Sequence, residues 1–87
     1  MKLLYPAIFT KEGTGFFVVV PDLDGCFSEG NTFEEAYQDT KNAIGLYLDG
    51  MEEYPKPSDP LSVKAENGSQ FMSVVDFDEE EYKRQNK

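Results

Sequence analysis

The fold is decided by residues 18–36, which read VVVPDLDGCFSEGNTFEEA. Three valines run into Pro21, and a residue that precedes proline favours extended geometry, so a strand can continue to Val20. The following DLDG, residues 22–25, has the aspartate and glycine composition of a turn. Residues 26–29 then predict another short strand before a helix begins. This close succession of strand, turn, strand and helix could carry a catalytic site on the turn, or it could present an acidic surface to a partner.

The helix after this stretch is the clearest element of the chain. Thr32 and Glu35 fit the capping box, in which the threonine hydroxyl accepts a hydrogen bond from the amide three residues on. Gly50 predicts the end of the helix, with residues 51–54 as a frayed last turn. Leu46 lies outside the apolar stripe, so it is either an incidental exposed leucine or a partner contact. The stripe recurs at three- and four-residue steps: Phe33, Ala36, Tyr37, Thr40, Ile44, Tyr47, Leu48 and Met51.

Two further strands precede the quoted stretch. Residues 2–10 are rich in Leu, Tyr, Ile and Phe, which is typical of a strand. Pro6 has no N–H to donate, which predicts a sheet edge or a bulge at that position. KEGTG, residues 11–15, predicts a hairpin loop that leads into a second strand over residues 16–20. The first three strands therefore predict an antiparallel meander.

The last third of the chain predicts a link, a strand and a tail. Three prolines fall within residues 54–60, which indicates a stiff, extended link. Residues 71–77 are apolar on both faces, which favours a fourth strand in an interior or well-covered position. The tail, residues 79–87, is expected to be mobile or a short helix, with no element for it to pack against.

These elements predict an α+β fold of order β-β-β-α-β. It consists of a three-stranded antiparallel meander, one helix and a fourth strand. The chain is long enough for one domain, 1–87, within which residues 54–69 form the proline-rich link and turn.

Charge is the most informative part of the composition. Seventeen acidic residues oppose eight basic ones, for a formal net charge of −9. Nine of the carboxylates and one base, Lys41, fall between Asp22 and Glu53. Such a surface repels nucleic acid and anionic lipid, and it attracts a basic partner at long range. A negative net charge also keeps a protein in solution without any partner. The charge alone therefore does not decide between a partner-binding surface and simple solubility.

Metal-dependent chemistry is not supported by the spacing of the acids. A calcium-binding EF-hand loop that starts at Asp22 would place Cys26, Phe27 and Phe33 at positions that need an oxygen ligand, a glycine and a glutamate. A two-metal nuclease needs carboxylates that converge from the first strand, and KLLYPAIFT contains none. Asp76 on the last strand therefore has no partner there.

Other catalytic chemistry and cofactors are not supported either. Asp22 and Asp24 lie on an exposed turn, where both are expected to stay ionised instead of forming an acid–base pair. The chain has no histidine, so a nucleophile–histidine pair cannot form. A lone cysteine, Cys26, and the lack of a signal peptide or an apolar span of eighteen residues predict a cytoplasmic protein. We expect no enzymatic activity, no cofactor, no metal site and no membrane contact.

The residues from YPAIFTKEGTGFFVVV to the helix start resemble the N-terminal signature of HicB-type antitoxins. The matching positions are Tyr5, Pro6 and Ala7; Val20, Pro21, Asp22 and Leu23; Gly25 and Cys26; Gly30, Asn31 and Thr32; and Glu34, Glu35 and Ala36. The proline link and FMSVVDFD extend the resemblance over residues 4–78. It implies a partial ribonuclease-H-like fold that has lost its catalytic carboxylates.

The resemblance also implies a function and a partner. HicB-type proteins bind and block HicA, a small basic toxin that cleaves messenger RNA, so the expected function is that of the antitoxin. The alternative is an orphan module for protein binding or dimerisation, without a toxin. The family typically continues into a C-terminal DNA-binding segment. This chain ends at Lys87 without one, so nucleic-acid binding is not carried over to it. Exposed strand edges make a homodimer reasonable.

The residues expected to contact the partner surround the acidic turn and the helix start. The predicted contacts are Asp22, Leu23, Asp24, Phe27, Glu29, Glu34, Glu35 and Leu46. The acids among them would steer a basic partner toward this surface, and the apolar residues would anchor it. No catalytic or metal-binding residue is expected.

Overall fold

The computed structural model describes residues 2–85. Its elements follow the predicted β-β-β-α-β order, with a second helix after the last strand: β1 Lys2–Glu12, β2 Gly15–Val19, β3 Phe27–Gly30, α1 Phe33–Leu48, β4 Gln70–Asp78 and α2 Glu79–Gln85. The link between α1 and β4 contains a 3-10 turn, Pro60–Ser62. The α+β fold class and the antiparallel meander are confirmed, and the likeness to ribonuclease H stays a prediction.

The four strands form one antiparallel sheet in the order β3-β2-β1-β4. β1 is therefore a central strand, although it contains Pro6. The Lys11 N–H donates to the Ser69 carbonyl beside β4 (2.8 Å). The N–H groups of successive residues point to opposite sides of a strand, so the N–H groups of the even-numbered β1 residues point toward β2. β2 pairs with β1 only from Ile8 onward, so Pro6 occupies a local edge where no N–H is required.

α1 covers one face of the sheet and completes the core. The side chains of Tyr5, Ala7 and Phe9 point toward the helix and are fully buried. Val18 lies opposite Phe9 on β2, and Val75 lies opposite Tyr5 on β4. The remaining apolar core residues are Val20, Leu23, Cys26, Ala36, Ile44, Leu48 and Phe77.

The other face of the sheet, here called the open face, is also apolar. Side chains alternate along a strand, so the residues between the core positions point to this side. Leu4 and Phe27 are more than half exposed there. The half-buried members are Ile8, Phe17, Val19, Met72 and Val74. β4 is apolar on both sides because one side faces the core and the other belongs to the apolar open face. The predicted interior position of this strand is wrong, since β4 is an edge strand. The homodimer inferred from exposed edges stays a prediction.

The start of α1 is fixed by its cap and by a buried polar contact with β3. The Thr32 Oγ1 accepts a hydrogen bond from the Glu35 N–H (3.1 Å), as the capping box predicts. Two turns later, the buried hydroxyls of Thr40 and Ser28 lie 2.5 Å apart. Thr40 also hydrogen-bonds to the Ala36 carbonyl (2.7 Å). These contacts hold the first turns of α1 over β3.

The end of α1 agrees with the predicted glycine stop. The helix ends at Leu48, and the Asp49 N–H donates to the Gly45 carbonyl (3.0 Å). Gly50 follows with a φ of +83°, a conformation that glycine adopts without a Cβ clash. Residues 51–54 lie outside the helix, so the predicted frayed turn is absent there.

The expectation that the tail has nothing to pack against is wrong. α2 turns back onto the body of the protein, and the Tyr82 ring lies 5.7 Å from the Phe77 ring, centroid to centroid. A Cβ placed on Gly45 would lie only 2.3 Å from the Tyr82 ring. The glycine inside α1 therefore makes room for the tyrosine. The last two residues of the predicted tail lie outside the described residues.

Candidate partner-binding surface

The turn between β2 and β3 contains three of the predicted contact residues, and the structure separates them. Asp22 accepts hydrogen bonds from the Ser58 N–H (2.8 Å) and from the Ser58 hydroxyl. It thereby ties the proline-rich link to the turn. Leu23 is fully buried in the core, so it is not an accessible contact, which corrects the assignment made from sequence. Asp24 is exposed.

Phe27 and Glu29 on β3 alternate with the buried Ser28, so both side chains point away from the core. Phe27 is 56% exposed and stacks on Phe17 across the open face, with ring centroids 5.8 Å apart. Glu29 is exposed, and its N–H donates to the Asp39 carboxylate on α1 (3.3 Å). This bond covers part of the free edge of β3. Phe27 is therefore available to a partner as an apolar contact and Glu29 as a charged one.

α1 supplies the other three predicted contacts. Glu34 and Glu35 are exposed in its first turn, where negative charge is favoured by the helix dipole. Leu46 is exposed and lies on the same helical face as Glu35 and Asp39, since residues four and seven positions apart share a face. Leu46 is three turns away from the helix start, so it belongs to a more distant part of the surface.

Four carboxylates meet around one depression at the end of the sheet, here called the acidic depression. They belong to Glu12, Glu29, Glu35 and Asp39. The other lining residues are Thr14, Gly15, Phe16, Phe17, Gly30 and Asn31. No lysine or arginine is among these lining residues, which all belong to the described part of the chain. The depression therefore offers a concentrated negative surface to a basic group.

Sequence reasoning missed Glu12 and Asp39 as members of this site. Asp39 follows Glu35 by one helical turn, which is a signal that sequence alone provides. Glu12 joins the site because it pairs with Gly15 across the β1–β2 hairpin, and Phe16 in turn pairs with Gly30. That placement depends on the register of two hairpins.

Metal ligation and thiol chemistry draw little support from the described residues. Among residues 2–85, no three Asp, Glu or Cys side chains are grouped closely enough to hold a metal ion. Cys26 is buried, and burial raises the pKa of its thiol. A thiol that stays protonated is a poor nucleophile.

Asp76, the acid on the last strand, belongs to a structural network. The Tyr37 hydroxyl donates to its carboxylate (2.8 Å) and accepts from its N–H (3.2 Å). Lys2 and Lys41 approach the same carboxylate at 3.5 and 3.9 Å. The hydrogen bond from Tyr37 and the two ammonium groups hold the pKa of Asp76 below its ordinary value. Asp76 thus fastens α1 to the free edge of β4.

These features describe a small acidic domain with exposed charged and apolar side chains. Comparison with known proteins identifies its family. Residues 5–87 match the family described as the HicB-like antitoxin of bacterial toxin–antitoxin systems, and the chain belongs to that family. A 14.9 kDa protein encoded in the rep–hol intergenic region of Haemophilus phage HP1 is 39% identical over 82 residues. That match covers 87% of this chain and 62% of the phage protein, so this chain spans less than two thirds of that relative.

Solved structures show the same fold. A chain of a HicA3–HicB3 toxin–antitoxin complex superimposes with a TM-score of 0.74 and 26% identity, over 87% of this chain and 99% of that chain. The crystal structure of antitoxin HicB3 matches with a TM-score of 0.73 and 26% identity. That match covers 92% of this chain and 65% of HicB3. Among the described residues, no helix is long and apolar enough to span a membrane.

Proposed function

We propose that this chain is the antitoxin of a HicBA-type toxin–antitoxin system. It binds a small, basic, HicA-like messenger-RNA ribonuclease and occludes its active site, without catalysis or a cofactor of its own. The family membership and the similarity to a chain of a HicA3–HicB3 complex support this function. The observation that carries it is the acidic depression, because its four carboxylates give it a charge that is complementary to a basic protein.

Charge at this surface acts mainly on the rate of encounter. The chain carries a net charge of −9, and the four carboxylates of the depression are on the surface. A field of this kind raises the association rate of an oppositely charged partner and weakens as salt screens it, over a Debye length of about 8 Å at physiological ionic strength. The acidic depression is therefore the site of first approach.

Apolar contacts then hold the complex. A few buried anchor residues usually carry most of the binding energy of an interface. Phe27 on the open face and Leu46 on α1 are the exposed apolar residues among the predicted contacts. A partner that covers either of them removes apolar surface from water and slows dissociation.

Protection of cells tests the function directly. Co-expression of this chain should restore growth to cells that produce a HicA-like toxin encoded in the same genome, because the complex hides the ribonuclease active site. Growth and the level of intact messenger RNA would be measured with and without the chain. Cells that stay arrested while both proteins accumulate in soluble form would favour the orphan binding module instead.

The role of the acidic depression is tested by reversing its charge. The triple variant Glu12→Lys, Glu29→Lys, Glu35→Lys should associate with a catalytically inactive HicA-like toxin at least about tenfold more slowly at low salt. The difference should shrink at high salt, because screening already removes most of the attraction. Surface binding kinetics at two ionic strengths measure both effects.

A second triple variant serves as the matched control. Glu52→Lys, Glu53→Lys, Glu66→Lys changes the net charge by the same amount at exposed positions outside the depression. It should slow association by less than about threefold, since only the overall charge is altered. Equal association rates for the two triple variants would show that the depression has no special part in docking.

A further inference from the structure

Five aromatic rings lie beside the acidic depression and form what we call the aromatic cluster. Its members are Phe9, Phe16, Phe33, Tyr37 and Phe71, and neighbouring ring centroids are 5.0 to 6.5 Å apart. Phe9 is fully buried, whereas Phe33 and Phe71 are 38% and 39% exposed. Phe16 also lines the acidic depression. The two features therefore form one continuous surface at the start of α1.

The exposed part of the cluster borders a concavity of mixed chemistry. Phe33 and Tyr37 supply aromatic rings to it, Glu34 a carboxylate and Gln38 an amide. The Tyr37 hydroxyl is already engaged with Asp76, so its ring is what it offers to a ligand. A planar guanidinium stacks on aromatic rings and donates to a carboxylate at the same time. Rings and an acid in one concavity are the complement of an arginine side chain.

One ring of the aromatic cluster already accepts a cation. The Lys11 ammonium lies 4.8 Å from the centroid of the Phe16 ring. A cation within about 6 Å of a ring centroid is attracted by the negative face of the ring. Lys11 takes up part of the cluster at Phe16, and the exposed surfaces of Phe33 and Phe71 remain for a cation from outside.

We propose that the rings of Phe33 and Tyr37 and the Glu34 carboxylate, with the Phe71 ring 5.8 Å from that of Phe33, form a subsite that receives an arginine side chain of a basic protein partner. The partner class rests on the proposed function, and the subsite adds where and by what chemistry that partner is held. A second copy of this chain is a poor occupant, because it brings a further net charge of −9 and a single arginine, Arg84. A purely apolar partner would leave the Glu34 carboxylate without a counterpart.

The subsite is tested with two peptides of equal charge, tetra-arginine and tetra-lysine. Both are attracted by the acidic surface, but only the guanidinium gains from stacking on the rings. Tetra-arginine should bind at least about threefold more tightly, which corresponds to one modest cation–π contact. In a two-dimensional NMR titration with tetra-arginine, the largest chemical-shift changes should occur at residues 33–38 and at Phe71.

Conservative variants then assign the preference to the rings. Phe33→Leu and Phe71→Leu keep an apolar side chain of similar size, and each should reduce the tetra-arginine affinity toward that of tetra-lysine. Leu61→Ala is the control, since this leucine is 83% exposed but lies in the link, outside the aromatic cluster. It should bind as the unsubstituted protein does. Glu34→Gln, at an exposed position, should weaken tetra-arginine binding without disturbing the core.

Equal affinities for the two peptides, or shifts centred on Asp24 and Glu29, would overturn the subsite. An unchanged affinity in both ring variants, with spectra of folded protein, would do the same. The peptide titration contains no toxin, so its outcome is independent of the growth and kinetic experiments on the proposed function. Failure to protect cells would reject the antitoxin role while the arginine preference is still measured.

Discussion

Replacing Gly30 by alanine is expected to destabilise the protein by about 3 kcal/mol, the upper part of the usual range for overpacking. A Cβ at this position would lie 2.3 Å from the Ala36 nitrogen and 2.7 Å from the Glu35 carbonyl carbon. Both are backbone atoms of α1, so no side-chain rotation can relieve the clash. The helix start must move away from β3 instead.

Thermal or urea unfolding of Gly30→Ala measures this effect. For a domain of this size, such a loss corresponds to a decrease of roughly 12–24 °C in Tm. Gly68→Ala is the control, because no heavy atom lies within 4 Å of its added Cβ, and it should change stability by less than about 0.5 kcal/mol. If Gly30→Ala unfolds like the unsubstituted protein, α1 does not pack this closely on β3 in solution.

The same substitution should also disturb the candidate site. Gly30 lines the acidic depression, and its neighbours in sequence and space include Glu29 and Glu35. A displaced helix start changes the spacing of these carboxylates. In the binding-kinetics experiment proposed above, Gly30→Ala should therefore associate with the HicA-like protein more slowly, even at temperatures where the variant remains folded.

Local signals in the sequence are sufficient for most of the fold. The capping residue Thr32, the stop at Gly50 and the apolar stripe define α1, since each acts through contacts within a few residues. Apolar runs bounded by the KEGTG loop define β1 and β2 in the same way. Because side chains alternate along a strand, knowing which residues of one strand face the helix also tells which residues of that strand form the core.

What could not be predicted depends on contacts between distant segments. Asp22 looked like a free surface acid, but it hydrogen-bonds Ser58 after the link returns to the turn. Glu12 enters the acidic depression through strand register. A short helix was among the expectations for the tail, but its packing against α1 was missed although a signal was present. Gly45 stands inside a helix, where glycine costs about 1 kcal/mol relative to alanine, and such a residue usually has a packing reason. Here the reason is the Tyr82 ring.

Leu23 is the predicted contact on which sequence and structure disagree most. Leu23 was predicted to be an apolar anchor for the partner, and a residue in a turn usually lies on the surface. In the structure, the Leu23 N–H donates to the Val20 carbonyl (3.0 Å), and the Cys26 N–H donates to the Leu23 carbonyl (2.9 Å). These two consecutive turns direct the side chain inward, where it is fully buried.

Leu23→Ala is accordingly expected to cost about 2–5 kcal/mol of stability, through lost burial and the cavity left behind. Because a domain of this kind is stable by only about 5–15 kcal/mol, the variant should lose a large part of its margin. Leu46→Ala and Leu61→Ala are the matched controls, as these leucines are 70% and 83% exposed. Both should unfold within about 0.5 kcal/mol of the unsubstituted protein. Urea unfolding of the three variants decides between a core and a surface position for Leu23. If Leu23→Ala is as stable as the two controls, Leu23 is exposed and remains a candidate partner contact.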